Sequence, residues 1–331
     1  MKVLVTGGAG FIGGHLVERL IARGDDVSVV DNISTGNIDN LKELFDSTKL
    51  KLYVDTVCNP VIMEELIRQA DHVYHLAAPV GGKYIMELPV HSILDNVRGA
   101  DVVLGLCNKY RKKIFLASTS EVYGRNLDYL GDETSRLSEE DFRLMGSTRN
   151  HRWAYANTKC MDEFLAFAYY KEFKMPMVIV RFFNTVGPRQ TGMYGMVIPT
   201  FVQQALAGRP ITIYGTGEQR RSFLHVSDAL DAVTTLMETP AAVGDVFNVG
   251  HGQEVTINEL ARRVREKTGS KQEIVRVDYK SAYGEGFEDM MRRTPDVAKV
   301  QGAIGWKPKY DLDAILDDII AYYRKKMGAA A

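Results

Sequence analysis

Cysteine and unbalanced charge are both scarce in this chain, and each scarcity excludes something. Three cysteines in 331 residues (Cys58, Cys107 and Cys160) are too few and too scattered for a disulfide framework or a zinc site. Lys and Arg number 41 against 42 Asp and Glu, a net charge of −1, so nothing argues for nucleic acid or an anionic membrane as a partner. No apolar run approaches the roughly 20 residues needed to span a bilayer. Lys2 leads straight into a strand and a glycine turn, with no pattern of a secretory leader. A cytoplasmic protein without a metal is the expectation. There is no internal repeat, and only the Ala329–Ala331 tail is of low complexity.

What is present is a core-forming composition, 45% hydrophobic, in a length that suits one large domain or a domain with a smaller lobe. Val3-Leu4-Val5 reads as a short buried strand. It runs into Thr6-Gly7-Gly8-Ala9-Gly10-Phe11-Ile12-Gly13 and then an amphipathic helix through Leu16, Leu20 and Ile21. Strand, glycine turn and helix make a phosphate-binding unit: glycines allow backbone to approach a pyrophosphate that sits at the helix N-terminus. A second strand, Val27 to Val30, ends in Asp31, eighteen residues after Gly13. An acid there accepts both hydroxyls of an adenine ribose and repels a 2′-phosphate, which favours NAD over NADP; Asn32 follows it in the same turn.

Strands and helices go on alternating. Leu50 to Val54 ends in Asp55, placed to face the adenine. His72 to Leu76 ends in Ala77-Ala78-Pro79, small residues suited to backbone beside a cofactor. Val90 to Tyr110 reads as a helix and Lys113 to Ala117 as a fifth strand. Such alternation implies an α/β fold with a doubly wound parallel Rossmann sheet. His75 reads as a core histidine. The mixed-polarity stretch from Asn126 to Arg152 reads as a solvated surface loop.

Tyr155-Ala-Asn-Thr-Lys159 opens a predicted helix, since Phe164, Leu165, Phe167 and Ala168 follow at helical spacing. Residues four apart share a helical face, so the phenol and the ammonium can point into one site. A free tyrosine, with a pKa of about 10, is a poor base at neutral pH. A neighbouring lysine cation is expected to favour the phenolate.

The Gly7/Gly10/Gly13 turn, Asp31, the Ser118-Thr119-Ser120-Glu121 cluster, Tyr155 and Lys159 together resemble the extended short-chain dehydrogenase/reductase family of nucleotide-sugar-modifying enzymes. The resemblance covers essentially the whole chain. It implies NAD as cofactor, held by Gly7, Gly10, Phe11, Ile12, Gly13, Asp31, Asn32, Asp55, Leu76, Ala77, Ala78, Tyr155 and Lys159. It also implies a smaller α+β lobe for a nucleotide sugar, UDP-linked by preference. Residues 1–185 with 222–251 would form the NAD-binding domain, and 186–221 with 252–331 the lobe. Asn184, at the end of the first domain, would contact the diphosphate region; in the lobe Val197 would open the nucleotide-binding helix, Tyr214 would stack on the base and Arg221 would grip the diphosphate. Arginine suits that last task because its planar fork binds phosphate oxygens in pairs.

The stretch Tyr283 to Asp296, with Arg152-Trp153, narrows the resemblance to UDP-glucuronate decarboxylases and UDP-apiose/xylose synthases. It implies that Arg293 faces a sugar carboxylate. Decarboxylases of this type carry a tyrosine where this chain has Ile85, and Tyr84 stands beside it as the candidate contact. In all members Tyr155 takes the proton of the sugar 4-hydroxyl, Lys159 supports the phenolate and Thr119 aligns the reacting oxygen. The resulting 4-keto sugar can be decarboxylated, with Arg293 seating the carboxylate and Ser120 and Glu121 near C5. It can also be dehydrated across C5 and C6, or turned over by a 4-epimerase, which leaves Glu121 without a task. Decarboxylation is the leading expectation. A non-catalytic NAD sensor is the remote alternative, since such proteins usually lose the tyrosine or the lysine. The family also implies a homodimer built on the helix near Val90–Tyr110 and on the catalytic helix, with Phe164, Phe167, Ala168 and Tyr169 in the interface.

Overall fold

Val3 and Val5 point into one apolar cluster and Leu4 into another, because successive side chains of a strand alternate between the two faces of its sheet. Both faces of their strand, β1 (Lys2–Thr6), are therefore covered. The computed structural model describes residues 1–79, 88–192, 196–279 and 289–328. After β1 and α1 (Phe11–Arg23) come β2 (Asp26–Asp31), β3 (Leu50–Val54), α2 (Pro60–Gln69) and β4 (His72–His75). Next are α3 (Pro89–Lys109), β5 (Lys113–Thr119), α4 (Ala154–Phe173) and β6 (Met177–Phe182). The lobe begins with α5 (Val197–Leu206), β7 (Ile211–Tyr214) and β8 (Arg220–Arg221). The chain then supplies α6 (Val226–Glu238) and β9 (Asp245–Val249), followed by α7 (Ile257–Thr268), β10 (Ile274–Val277), β11 (Arg292–Arg293), α8 (Ala298–Ile304) and α9 (Leu312–Gly328).

Seven strands form one parallel sheet in the order β3-β2-β1-β4-β5-β6-β9. Chain order reverses between β1 and β4, and a sheet of this kind binds ligands outside the carboxyl ends of its strands at that point. Leu16, Val17 and Leu20 of α1 and Leu230 and Val233 of α6 cover one face, joined by Val300 and Trp306 from far along the chain. Met63 and Leu66 of α2, Val103 and Leu104 of α3 and Ala166 of α4 cover the other. A separate core holds the lobe together, where Ile198 and Phe201 of α5 meet Leu260 and Val264 of α7 and Ile315 and Ile319 of α9. Among the described residues no helix is long and apolar enough to cross a membrane.

The stretch from Asn126 to Arg152 is not the solvated loop expected of it. It starts with a helical turn, Asn126–Leu130, and buries Leu127 and Leu137. Two of its charges turn inward: Glu139 accepts from the Asn248 amide at 2.7 Å, and Arg143 reaches Glu163 at 3.0 Å, while Asp132, Glu133, Arg136, Glu140 and Arg149 stay exposed as expected. Composition showed the charges but not the buried partners waiting for them.

Candidate active site

Glycines at the end of β1 shape the floor of the site. Gly7 holds φ at +73°, and a Cβ there would lie 2.7 Å from the Ala77 amide nitrogen; a Cβ on Gly13 would overlap the Gly7 carbonyl oxygen. The turn can thus press against the end of β4 only without side chains. No side chain caps α1, which leaves its first N–H groups to a ligand. At the end of β2, Asp31 is 8% exposed. It accepts from the Ala9 amide at 2.9 Å and the Ile33 amide at 2.8 Å. Burial pushes its pKa up, against the pull of those two bonds. Asp55, by contrast, turns its oxygens to its own neighbours, the Thr56 amide at 2.7 Å and Asn59 Nδ2 at 3.0 Å.

These residues line one cavity of about 890 Å³, a size suited to a dinucleotide and a second nucleotide together. Gly10, Phe11, Ile12, Asn32, Leu76, Ala77 and Ala78 lie on its wall with Thr119, Ser120, Glu121, Tyr155 and Lys159. Asn184, just after β6, and Val197, Tyr214, Arg221 and Arg293 of the lobe line it as well. Tyr84, Ile85 and residues 283–288 lie outside the described residues. His75 is a satisfied core histidine: Nδ1 pairs with Thr6 Oγ1 at 2.8 Å, and burial, with Lys159 nearby, lowers its pKa to about 3.

β5 delivers the polar cluster. Thr119 Oγ1 accepts from the Glu121 amide at 3.2 Å and so starts the turn Ser120–Tyr123. That turn aims Glu121 at two arginines. Arg152 Nη1 is 2.5 Å from its Oε2, and Arg293 Nη1 is 3.4 Å from its Oε1. Burial alone would raise the Glu121 pKa, but the two guanidinium groups outweigh it and hold the carboxyl at about 2. Arg293 also donates to Asn184 Oδ1 at 2.5 Å, while its buried Nε has no hydrogen-bond partner among the described residues. Burial and the charge of Arg221 pull the Arg293 pKa down to about 10. A buried cation with an unused donor on a cavity wall is a seat for an anion.

Tyr155 carries a raised pKa, through burial first and then the charges of Glu121 and Asp162. The Lys159 ammonium stands 3.3 Å from Asp162. Arg221 is turned to Asp289 at 2.7 Å, and Tyr279 donates to the same carboxylate at 2.7 Å.

Several cavity residues escaped the sequence reading. Arg152 was noted only as a marker beside Trp153. Arg189 ties the lobe to α1 through both oxygens of Glu18, at 2.5 and 2.7 Å. Tyr279 and Gln219 line the cavity beside Tyr214, with Gln219 Nε2 donating to the Tyr279 hydroxyl at 2.8 Å. The one available signal was local: Arg152 lies three residues before Tyr155, on the turn that launches α4.

A family profile described as GDP-mannose 4,6 dehydratase matches residues 4–319. The chain is 38% identical over 325 residues to a UDP-N-acetyl-alpha-D-glucosaminuronate decarboxylase of Bacillus cytotoxicus, covering 98% of each chain. It is 34% identical over 326 residues to UDP-glucuronic acid decarboxylase 1 of Xenopus tropicalis, covering 98% of this chain and 73% of that one. Among solved structures it superposes with a TM-score of 0.86 on a UDP-glucuronic acid 4-epimerase mutant from Bacillus cereus, in complex with UDP-4-deoxy-4-fluoro-glucuronic acid and NAD. That pair is 25% identical, with 98% of this chain and 100% of the other covered.

Proposed function

We propose, for a chain that belongs to the GDP-mannose 4,6 dehydratase family, that it is an NAD-dependent decarboxylase of a UDP-linked uronic acid working through a 4-keto sugar. The observation that carries this reading is Arg293, a buried guanidinium whose Nε lacks a partner among the described residues, on the wall of the cavity that Tyr155 and Lys159 also line. The decarboxylases among its relatives support it.

The glycine turn and Asp31 fit a dinucleotide: the turn has room for phosphate and not for side chains, and an acid at the end of β2 suits an unphosphorylated ribose. When bound, NAD would take hydride from the sugar C4 and later return it. Tyr155 removes the 4-hydroxyl proton, Lys159 supports the phenolate, and Thr119 holds the reacting oxygen in line. Arg293 seats the carboxylate. Loss of carbon dioxide leaves its electron pair at C5, where the C4 carbonyl takes it up, and a proton must then be delivered to C5. Ser120 and Glu121, on the turn that follows β5, would serve that delivery. Asn184, Val197, Tyr214 and Arg221 would hold the nucleotide and diphosphate, Arg221 after exchanging Asp289 for phosphate.

The two named relatives differ in what the sugar bears, so UDP-glucuronate and UDP-N-acetylglucosaminuronate are both test substrates. Incubation of the purified protein with each, followed by mass spectrometry and NMR of the products, decides the matter. Release of carbon dioxide with a UDP-pentose supports the reading. A UDP-uronic acid inverted at C4 and still carrying its carboxylate would make the protein an epimerase, as in Bacillus cereus, and overturn it. Replacing Tyr155 by Phe should abolish turnover and spare NAD binding.

The same reading extends to assembly and place. The N-terminal domain would comprise residues 1–185 with 222–251, and the lobe 186–221 with 252–331. A homodimer would form over α3 and α4, where Val90, Leu94, Val97, Met161 and Phe164 are exposed. Of the residues expected there, Phe167 and Tyr169 pack instead against the core of their own chain. Three thiols without disulfides suit the reducing cytoplasm.

A further inference from the structure

Asp162 lies one helical turn beyond Lys159 on α4, and its carboxylate is 3.3 Å from the ammonium. Both side chains are 3% exposed. The contact is an ion pair without hydrogen-bond alignment, for Asp162 Oδ2 is buried and has no hydrogen-bond partner among the described residues. A carboxylate withdrawn from water on such terms is costly to keep. Its neighbour Glu163 is, by comparison, fully used: Arg181 grips it at 3.0 and 2.8 Å, Arg143 at 3.0 Å and Ser118 at 2.5 Å. Glu163 fastens α4 to β5 and β6. Asp162 does no fastening; what it touches is the lysine of the reacting pair.

The other groups facing that pair come from three elements. Glu121 approaches from the turn after β5, with Arg152 and Arg293 attached to it. His75 faces Lys159 from the end of β4 and is neutral. Asp162 and Glu163 lie on α4 itself. The Lys159 ammonium has the Asp162 carboxylate as an ion-pair partner, and a carboxylate there opposes the favourable effect of a lysine on a phenolate that shares its helical face.

We propose that Asp162 is a positioning residue that holds the Lys159 ammonium along α4, screens part of its charge from Tyr155, and so sets the pH above which Tyr155 works as a base. This rests on the reading of Tyr155 as that base. The sign follows from charge: a carboxylate near a phenol favours the protonated form, so removing it lowers the phenol pKa. After burial, Glu121 and then Asp162 are the charges that raise the Tyr155 pKa; Glu121 also holds Arg152 and Arg293, whereas the ion pair of Asp162 is with Lys159.

The test is the pH dependence of kcat/KM with UDP-glucuronate for the wild type, Asp162→Asn and Asp162→Glu. Asp162→Asn should move the acidic limb of the profile down by about one pH unit, and Asp162→Glu should return it toward the wild-type position. A helix-stabilising role alone would lower the melting temperature and leave the limb in place, which overturns the proposal; so does an upward shift. Ultraviolet difference titration of the NAD-loaded protein, with Tyr155→Phe subtracted, reads the same phenol without turnover. If the protein processes no uronic acid, the function proposed above fails, yet the phenol transition must still move down in Asp162→Asn. Should that variant not fold, Asp162→Ser carries the same expectation and the same overturning result.

Discussion

Glu121 and Arg293 stand 172 positions apart in the chain and 3.4 Å apart in space. Their contact joins the end of β5 to β11, a two-residue strand that pairs in parallel with β8, setting Arg293 beside Arg221. Asp128, at the start of the supposed surface loop, accepts from the Met291 and Arg292 amides at 3.0 and 3.2 Å. The position of Arg293 is thus fixed from both the sheet and the lobe.

Arg293→Ala should remove the anion seat. Truncating one partner of a buried, hydrogen-bonded charge pair costs about 2–5 kcal/mol, so kcat/KM for UDP-glucuronate should drop by about thirtyfold or more. Affinity for UDP, measured by calorimetry, should change little. Arg293→Lys keeps the charge but loses the planar fork, and should recover only part of the activity. A hundredfold loss in UDP affinity with Arg293→Ala would show that the residue serves the diphosphate instead.

The Glu121 carboxyl is held at about 2, below its ordinary 4.5. A depressed carboxylate contributes stability that is fully present above the unfolded-state value and is lost as pH falls through the folded one. The stability advantage of the wild type over Glu121→Gln should therefore shrink as pH is lowered from about 4.5 to about 2. Urea titrations across that window would read it. A gap that stays constant would mean the arginines do not hold the carboxylate as drawn.

Local chemistry made the first half of the fold legible. The glycine turn, Asp31 and the strand ends follow from short-range pattern, and the structure puts them along one cavity wall. Tyr155 and Lys159 were readable for the same reason, since helical spacing sets their common face. Pairings over long separation were not. That Arg152 would meet Glu121, that Arg143 would meet Glu163 and that Asp289 would take Arg221 depend on which loops fold back, and composition is blind to that. Spacing puts Asp162 within one turn of Lys159 on the same helix, yet it does not say that the two charges pair.

Gly13→Ala should abolish dinucleotide binding. Its methyl would overlap the Gly7 carbonyl oxygen, which is backbone and cannot move aside without deforming the turn. The rest of α1 is anchored by Leu16, Val17 and Leu20, so the variant should fold. Near-native circular dichroism with loss of NAD binding, followed by fluorescence, is the expected result. Retained NAD affinity would place the cofactor elsewhere.

Asp31→Ser should shift cofactor choice. The carboxylate is well placed to repel a 2′-phosphate, and a hydroxyl removes that repulsion. Preference for NAD over NADP should fall by about tenfold or more, one tenfold step corresponding to about 1.4 kcal/mol. Part of the loss in NAD affinity will come from the turn, since Asp31 also accepts the Ala9 and Ile33 amides. The ratio of the two dissociation constants separates the effects: repulsion changes it, and a loosened turn does not.

The exposed apolar residues of α3 and α4 make the final prediction. Val90, Leu94 and Val97 recur at helical spacing on α3, and Met161 and Phe164 stand exposed on the neighbouring α4, Phe164 at 62%. A patch of that kind on a folded chain calls for a partner, and two copies related by a twofold axis would cover it with the same patch. The Phe164 ring also carries the Arg143 guanidinium 5.1 Å above it, and Arg143 reaches on to Glu163 inside the catalytic helix. Val97→Glu with Phe164→Glu places two like charges on each copy at the proposed contact. Light scattering should show a dimer for the wild type and a monomer for the double variant, with the fold retained because both positions face outward. A wild type that is monomeric at micromolar concentration would defeat the dimer. A double variant that dimerises as well as the wild type would move the interface to another face.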